Sequence, residues 1–246
     1  MHALLKKKFS QNFLIDQNIS RNICNLIPNI NLNIVEIGPG DGRLTKKILT
    51  KNPKRLILIE IDKDLISLLH SKFYKNDSII ILNEDVLNLD LNDSFDLIIS
   101  NLPYKISSKV LIKICLMNRK PNYLILMFQK EFALRLIDNK LNSLNSLVKC
   151  FYDIDLKINV SRNCFRPIPK VDSAVLFFSS KPIALLRANE INNFVNFKRK
   201  VFTHKRKTLN KILKDYNFQK ENFDLSKRVE DISIDQFLKI FRAINL

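Results

Sequence analysis

The chain has 246 residues, 46% of them hydrophobic, and its 41 Lys and Arg outnumber its 24 Asp and Glu to give a formal net charge of +17. This composition excludes a disordered chain and one too short to bury a core. The positive charge predicts a polyanionic partner, with nucleic acid first. A general bias toward Lys, Asn and Ile is the other explanation of the charge, and a membrane surface is a weaker one.

The cysteines and the N-terminal segment exclude several other classes. No two cysteines form a Cys-x-x-Cys pair, so neither a disulfide framework nor a metal site is expected. The basic N-terminal residues are not followed by an unbroken apolar run, so we expect neither a signal peptide nor a membrane span. These features predict a cytoplasmic protein, and nothing in the sequence requires more than a monomer.

Strands and helices are expected to alternate through most of the chain. Asp16 is the expected N-cap of a first helix. The apolar pattern then predicts, in order, strand 33–37, helix 43–50, strand 55–59, helix 63–73, strands 78–82 and 95–100, helix 107–117, strand 123–128 and a helix from Lys130. This order indicates an α/β fold whose largely parallel sheet carries helices on both faces.

The pattern changes after about residue 142. Strands 155–160 and 173–178 flank a proline-rich loop and are expected to pair antiparallel at one edge of the sheet. Residues 179–182 are typical of a linker. Residues 181–246 carry 15 Lys and Arg against 7 Asp and Glu, with apolar residues at helical spacing. We therefore predict a sheet domain of residues 1–180 and a small, basic, helical domain of residues 181–246.

The three glycines of the chain lie within five residues, between the first strand and the next helix: Gly38, Gly40 and Gly42. Glycines let the backbone turn sharply and approach a ligand closely. Their spacing differs from the dinucleotide fingerprint Gly-x-Gly-x-x-Gly and favours a nucleoside without a pyrophosphate. Glu60 ends the second strand, where a carboxylate can accept from both ribose hydroxyls. Asp85 follows the third strand and can accept from an adenine amine. A glycine turn with two surface acids is the alternative.

The segment Asn101-Leu102-Pro103-Tyr104 follows the fourth strand. Ligands of open α/β sheets bind outside the carboxyl ends of the strands. An amide, a stiff turn and an aromatic ring at such a position suit a flat, amine-bearing group. An ordinary turn is the alternative, since Asn and Pro are common in loops.

These motifs resemble those of class I S-adenosylmethionine-dependent methyltransferases that act on the exocyclic amine of adenine. Four more segments are similar to those of the ribosomal RNA adenine dimethyltransferases, above all their bacterial small-subunit branch: 11–14, 128–131, 165–175 and 205–209. The resemblance implies a Rossmann-like methyltransferase domain in residues 1–180 and an RNA-binding domain in residues 181–246. It also implies S-adenosylmethionine as cofactor and, as substrate, two adjacent adenosines near the 3′ end of 16S ribosomal RNA in the immature 30S subunit.

The resemblance also implies the cofactor site, which comprises Asn12, Leu14, Gly38, Gly40, Glu60, Asp85 and Asn101. Gly38 would approach the methionine part of the cofactor, Glu60 would hold its ribose and Asp85 its adenine. Two departures from the family pattern stand out. Asp41 and Arg43 occupy positions that are usually aliphatic or small, which alters the pocket rim, and residues 144–147 lack a usual glycine, which puts a local turn in doubt.

The target base is expected at Asn101 to Tyr104. The Asn101 side-chain oxygen and the Leu102 carbonyl would accept the two amine protons, Pro103 would keep that carbonyl pointing inward, and Tyr104 would stack on the base. Because the base must leave its stack, Phe128 or Phe165 is expected to form the opposite wall. The alternatives are a core position for Phe128 and a loop anchor for Phe165.

Two basic runs, Lys198-Arg199-Lys200 and Lys205-Arg206-Lys207, follow each other in the predicted helical domain. With Lys6-Lys7-Lys8 they suit structured RNA that is recognised by its backbone and shape. Lys205, Arg206 and Lys207 are the predicted RNA contacts. A solvated helix face is the alternative for such runs.

Two other functions remain open at this stage. One is an antibiotic-resistance methylase that acts on large-subunit RNA with the same chemistry. The other is a non-catalytic nucleic-acid-binding protein on the same fold, which the intact segment 101–104 and Glu60 argue against.

Overall fold

The structure is a computed structural model that describes residues 12–28, 31–90 and 95–244. The basic run Lys6–Lys8 and Gln11 lie outside the described residues. The strands are β1 (Phe13–Leu14), β2 (Asn33–Ile37), β3 (Arg55–Glu60), β4 (Ile79–Asn83), β5 (Leu97–Asn101), β6 (Tyr123–Gln129), β7 (Tyr152–Val160), β8 (Phe165–Arg166) and β9 (Ser173–Ser180). The α-helices are α1 (Gln17–Cys24), α2 (Arg43–Leu49), α3 (Lys63–Phe73), α4 (Ser107–Leu116), α5 (Lys130–Ile137), α6 (Asn145–Val148), α7 (Ile191–Thr203), α8 (Leu209–Ile212) and α9 (Ile234–Ile244).

A seven-stranded sheet has the strand order β4-β3-β2-β5-β6-β9-β7. Strands β2 to β6 pair in parallel, and β9 pairs antiparallel with β6. Helices flank the sheet, so the predicted α/β class is confirmed. The two late strands are neighbours at one edge, as expected.

The strand order reverses between β2 and β5. Chain direction runs outward from β2 to β3 and β4 on one side, and from β5 to β6 on the other. Ile37 and Ser100 are paired at the carboxyl ends of β2 and β5. The glycine loop after β2 and the segment after β5 therefore meet at the position where open α/β sheets bind ligands.

The central strands are buried on both faces, as expected for parallel strands covered by helices. In β2, Ile34 and Val35 point to opposite faces and are 1% and 0% exposed. In β5, Ile98 and Ile99 are both 0% exposed. Continuous burial of this kind fixes the strand ends, and with them the loops that form the site.

Two short elements were not predicted. Strand β1 pairs antiparallel with β8, so that Phe13 is opposite Arg166 and Leu14 opposite Phe165. The Ile15 N–H donates to the Cys164 carbonyl at 2.8 Å and extends this pairing. The predicted cap of α1 is present, since Asp16 Oδ1 accepts from the Asn18 and Ile19 N–H groups at 2.8 and 2.9 Å. The segment that enters α1 is thus held at both ends.

The chain packs as two compact units: Met1–Ala133 with Asp153–Ser180, and Leu134–Tyr152 with Lys181–Leu246. The second unit thus contains residues 181–246 and also Leu134–Tyr152, which the sequence analysis grouped with residues 1–180. Asn145 shows why this segment is compact, because its buried amide donates to the carbonyls of Arg135 and Lys140 at 3.2 and 2.9 Å. This amide ties the start of α6 to the preceding loop, in the segment where the resemblance put a local turn in doubt.

In the second unit, phenylalanines on α7 and α9 form the core. Phe194 contacts Phe237 and Phe241 at centroid distances of 5.6 and 5.3 Å, and Phe197 stacks on Phe237 at 5.3 Å. Lys198 is 5% exposed, and its Nζ donates to the Ser143 carbonyl at 2.7 Å. Within residues 12–28, 31–90 and 95–244, no helix is long and apolar enough to cross a membrane.

Candidate active site

A pocket lies outside the carboxyl ends of β2, β3 and β5. Its lining includes all the predicted cofactor residues and the whole segment 101–104 at the end of β5: Asn12, Leu14, Gly38, Gly40, Glu60, Asp85, Asn101, Leu102, Pro103 and Tyr104. Residues from the N-terminal segment to the end of β5 therefore converge on one site, which we call the cofactor pocket.

The glycine loop forms one side of the cofactor pocket. Gly38, Gly40 and Gly42 have φ angles of +66°, +59° and +78°, in the left-handed region that favours glycine. A Cβ built on Gly38 would meet no atom within 4 Å, whereas one on Gly40 would lie 2.9 Å from the Phe13 ring. The backbone at Gly38 thus faces open space that a ligand can approach, and the backbone at Gly40 is covered by Phe13.

Glu60 is held by backbone donors at the end of β3. Its Oε1 accepts from the Ile61 and Asp62 N–H groups at 2.9 and 3.0 Å, and its Oε2 accepts from the Gly40 N–H at 3.2 Å. Burial raises the pKa of the Glu60 carboxyl, and these hydrogen bonds act in the opposite direction. The bonds fix the carboxylate against the glycine loop, and Oε2 keeps a lone pair for another donor.

Asp85 begins the turn after β4. Its Oδ1 accepts from the Leu87 N–H at 2.9 Å. The other oxygen, Oδ2, has no hydrogen-bond partner in the part of the chain that the structure describes, and the residue lines the pocket. Asp85 therefore has a positioned carboxylate with one free acceptor.

The segment after β5 presents two free acceptors. Asn101 Nδ2 donates to the Asn12 carbonyl at 3.0 Å, and its Oδ1 has no partner among the described residues. The Leu102 carbonyl likewise accepts no hydrogen bond from them. Leu102 as a whole residue is 1% exposed, and the Pro103 carbonyl accepts from the Ile106 N–H at 3.0 Å. The turn that carries the Leu102 carbonyl is therefore fixed on both sides.

Tyr104 is anchored through its hydroxyl. Its Oη lies 2.8 Å from Oγ of Ser173, a fully buried residue at the start of β9. Burial raises the pKa of the Tyr104 phenol, so the hydroxyl stays protonated and keeps this bond at neutral pH. The bond fixes the position of the ring at the pocket.

Sequence reasoning missed Glu36 and Phe13, which both line the pocket. Glu36 is 1% exposed, and the Thr45 hydroxyl donates to its Oε2 at 2.6 Å. Burial raises the pKa of the Glu36 carboxyl to about 8. An acidic residue inside the apolar run of β2 was the signal, because a buried carboxyl without a function is costly.

Asp41 and Arg43 form an ion pair at the pocket rim. Arg43 Nε lies 2.8 Å from Asp41 Oδ2, and Lys72 Nζ donates to the Asp41 carbonyl. The two charged residues that depart from the family pattern at the pocket rim thus compensate each other's charge.

A family model described as ribosomal RNA adenine dimethylase matches residues 2–246. The chain belongs to this family. It is 36% identical over 252 residues to ribosomal RNA small subunit methyltransferase A of Mycoplasmopsis pulmonis, across 96% of this chain and 97% of the relative. It is 35% identical over 260 residues to the protein of the same name from Mycoplasma mycoides, across 97% of each chain.

The fold comparison agrees with the sequence comparison. The crystal structure of a dimethyladenosine transferase from Plasmodium falciparum superposes with a TM-score of 0.84 at 29% identity, over 95% of this chain and 97% of that chain. The predicted family, the Rossmann-like methyltransferase fold and the enzyme class are therefore confirmed. The small-subunit names of the relatives do not favour a large-subunit resistance methylase.

Phe128 and Phe165 do not lie at the pocket of this ribosomal RNA adenine dimethylase family member. Both side chains are 0% exposed. The Phe128 ring packs against Phe132 and Phe178 at 5.1 and 6.4 Å, and Phe165 belongs to the core beside Leu14. The sequence predicted that one of these rings forms a wall for the base. In this structure both rings lie in the interior instead, because the strands that carry them point them into the core.

The two basic runs differ in exposure. Lys205, Arg206 and Lys207 are exposed in the turn after α7, and their side chains have no partner among the described residues. Lys198 in the first run is buried and bonded to Ser143, so it cannot contact RNA. The RNA contacts at 205–207 remain a prediction, and the three side chains are exposed and available to bind a phosphate.

Proposed function

We propose that this ribosomal RNA adenine dimethyltransferase uses S-adenosylmethionine to dimethylate the N6 amines of two adjacent adenosines near the 3′ end of 16S ribosomal RNA. Its substrate would be the immature 30S subunit, and it would act as a cytoplasmic monomer. The observation that carries the proposal is the pair of free acceptors, Asn101 Oδ1 and the Leu102 carbonyl, at the edge of a pocket suited to a nucleoside.

The cofactor pocket fits S-adenosylmethionine in three respects. The open space at Gly38 admits the methionine part, Glu60 Oε2 can accept from a ribose hydroxyl, and Asp85 Oδ2 can accept from the adenine amine. Asn12 and Leu14 would cover the bound cofactor. When bound, S-adenosylmethionine supplies a methyl group that its positively charged sulfur makes electrophilic. Gly40 allows Phe13 to close on the loop.

The two acceptors address the main difficulty of the reaction. An adenine amine is a weak nucleophile because its lone pair is delocalised into the ring. Acceptors for both amine protons favour a pyramidal nitrogen whose lone pair points out of the ring plane. Holding this geometry lowers the activation barrier by roughly several kcal/mol. Because the amine attacks in its neutral form, and Asn101 Oδ1 and the Leu102 carbonyl only accept hydrogen bonds from it, no side chain has to remove a proton before attack.

The second transfer requires one acceptor to withdraw. The first transfer gives a cationic nitrogen that then releases one proton to solvent and keeps a single one, so the new methyl group can point at one of the two acceptors. Leu102 is held in a turn between its buried side chain and the hydrogen-bonded Pro103. The Asn101 side chain is held by one hydrogen bond to Asn12 and can rotate. We infer that Asn101 withdraws and that Leu102 keeps the remaining proton.

The other predicted contacts serve the RNA. Tyr104, fixed by Ser173, would stack on the target base, an interaction worth roughly 1–3 kcal/mol. Phe128 or Phe165 could form the opposite wall only if its ring leaves the interior when RNA binds. Lys205, Arg206 and Lys207 would bind phosphates. Residues 181–246, which belong to the second unit, would then serve as the RNA-binding domain.

The proposal is tested by incubating the protein with labelled S-adenosylmethionine and immature 30S particles, followed by nucleoside analysis of the RNA. We expect N6,N6-dimethyladenosine in 16S RNA, mapped to two adjacent positions near the 3′ end. Mature, fully methylated particles are the control and should accept no label. A product without dimethyladenosine, or label in large-subunit RNA instead, would remove the proposal.

A further inference from the structure

The loop of residues 166–172, here called the proline loop, is attached at both ends to residues that line the cofactor pocket. At its start, Arg166 pairs with Phe13 in the β1–β8 sheet. Directly after its end, Ser173 bonds the Tyr104 hydroxyl at 2.8 Å. Both Phe13 and Tyr104 line the pocket. The loop therefore lies beside the pocket, and no role has yet been assigned to it.

The proline loop exposes apolar side chains. Ile168 is 53% exposed and Val171 is 38% exposed, two of the seven large apolar side chains with comparable exposure among the described residues. Pro167 and Pro169 flank Ile168 and restrict the backbone around it. A rigid loop that holds an apolar side chain in solvent beside a binding pocket is suited to contact a partner with little loss of entropy.

The same loop is basic. Arg166 and Lys170 of the loop are exposed, and so is Arg162, which precedes the loop in the chain. Lys170 Nζ has no partner in the described part of the chain, and Arg166 uses one guanidinium nitrogen to donate to the carbonyls of Phe165 and Asn163 at 2.8 and 3.3 Å. The one acidic residue of the loop, Asp172, accepts from the Arg162 N–H at 2.9 Å. The surface thus combines available cations with an apolar tip.

We propose that the proline loop is an RNA contact of this enzyme: Lys170 and Arg166 bind phosphates beside the target adenosine, and Ile168 fills the space that this base leaves in its stack. A base that enters an active site must be extruded, and apolar side chains are used to occupy or open the step it leaves. The cations select a polyanion, and the adjacent pocket accepts an adenosine of that same chain. The proposal rests on the proposed function and names further contacts for its substrate.

Two variants separate the two roles. Lys170→Ala should weaken binding of a short RNA hairpin that carries the target sequence, by a few-fold, and lower the slope of log affinity against log salt by about 1. Ile168→Ala should leave that salt slope unchanged. It should reduce the extrusion of the target base by about fivefold or more. Extrusion is measured by the fluorescence of 2-aminopurine placed at the target position.

The matched control is the double variant Tyr74→Ala/Lys75→Ala, which removes an exposed ring and an exposed lysine from the end of α3. We expect it to bind and extrude like the unchanged protein. If Lys170→Ala and Ile168→Ala also match the unchanged protein, the loop is not an RNA contact. If they weaken binding of 30S particles but not of the hairpin, the loop contacts a ribosomal protein and the proposal is wrong.

These measurements need no methyl transfer, so they are independent of the proposed reaction. A protein that binds and extrudes the target base through the loop but methylates no RNA would contradict the proposed function alone. A protein that methylates normally with both loop variants, and binds the hairpin normally, would contradict the loop proposal alone.

Discussion

The polar side chains of the cofactor pocket and the basic side chains at 205–207 are held in opposite ways. In the pocket, Glu60 accepts three backbone hydrogen bonds, Asn101 donates to Asn12, and Tyr104 is bonded to Ser173. Residues 205–207 are exposed, and no described residue bonds their side chains. One region is preorganised, and the other is free to adapt.

The difference follows from what each region has to do. A methyl transfer requires acceptors whose directions are set within narrow limits, and the free energy for this order is provided by burial and hydrogen bonds. Phosphate binding depends mainly on charge and distance, so flexible lysines are sufficient. Substitutions in the pocket should therefore change rates and cofactor affinity steeply, whereas those at 205–207 should change RNA affinity gradually.

The largest effect is expected for Asn101→Ala. Loss of one preorganised hydrogen-bonding group should slow the first methyl transfer by about 100-fold or more. Transfer to the same RNA with N6-methyladenosine at the target position should slow much less, because Asn101 has already withdrawn at that stage. The measurement is single-turnover transfer to both RNAs at saturating cofactor.

One outcome would contradict the role assigned to Asn101 without contradicting the proposed reaction. Equal slowing on both RNAs would mean that Leu102, and not Asn101, releases its hydrogen bond. Asn118→Ala, which alters an exposed asparagine outside both the pocket lining and the proline loop, is the control and should transfer at the normal rate. Asn101→Ser provides a second variant if the alanine protein loses the cofactor.

Glu60→Gln should have the next largest effect. The replacement amide keeps the shape but places an NH₂ group among N–H donors and removes the charge that a ribose hydroxyl would bond. We expect cofactor affinity to fall by about 10-fold or more, since a hydrogen bond to a charged group contributes roughly 1.5–3 kcal/mol. Calorimetric titration with S-adenosylhomocysteine measures the affinity of the pocket in both proteins. Glu221→Gln, at an exposed acid outside the pocket lining, should bind nearly normally, and equal losses in both variants would argue against a specific role for Glu60.

The basic segment provides the opposite test. Replacing Lys205, Arg206 and Lys207 by alanine should weaken RNA binding by about 10-fold and lower its salt slope by up to about 3. Cofactor affinity should not change. The charge-matched control removes three exposed lysines of the first unit: Lys54, Lys63 and Lys75. If both triple variants bind RNA equally well, net charge and not this segment determines affinity.

The sequence was sufficient for features that depend on local pattern. The strand ends, the glycine loop and the segment 101–104 are encoded by apolar runs followed by residues that break them, so their convergence at one sheet edge could be predicted. The pairing of β1 with β8 could not, because two-residue strands have no periodicity and their partners are far apart in the chain.

Side-chain direction was the second limit. Phe128 lies on a strand buried on both faces, so alternation of apolar and polar residues could not show whether its ring faces the pocket or the core. Lys198 was counted with its basic neighbours, but its position on α7 turns it toward Ser143. Both positions are decided by tertiary contacts that a local pattern does not contain.

At the most buried acid of the pocket, Glu36, the expected effect is on stability instead of activity, and it varies with pH. Because the pKa of the folded-state carboxyl is raised to about 8, the folded protein holds a proton that the unfolded chain has released. Stability from this group is therefore complete below the unfolded pKa and is lost as pH rises toward 8. Glu36→Gln, which can still accept from Thr45, should remove this loss. The difference in unfolding free energy between the two proteins should change by at most about 1.4 kcal/mol per pH unit.

Urea unfolding at several pH values between 5.5 and 8, roughly, measures this difference without cofactor. Comparison with the unchanged protein cancels the contributions of other titrating groups, Glu60 among them. Parallel stability curves for the two proteins would mean that Glu36 is already ionised in the folded protein at neutral pH. The pocket would then hold a fixed negative charge beside Gly38, and its preorganisation would extend to charge as well as to geometry.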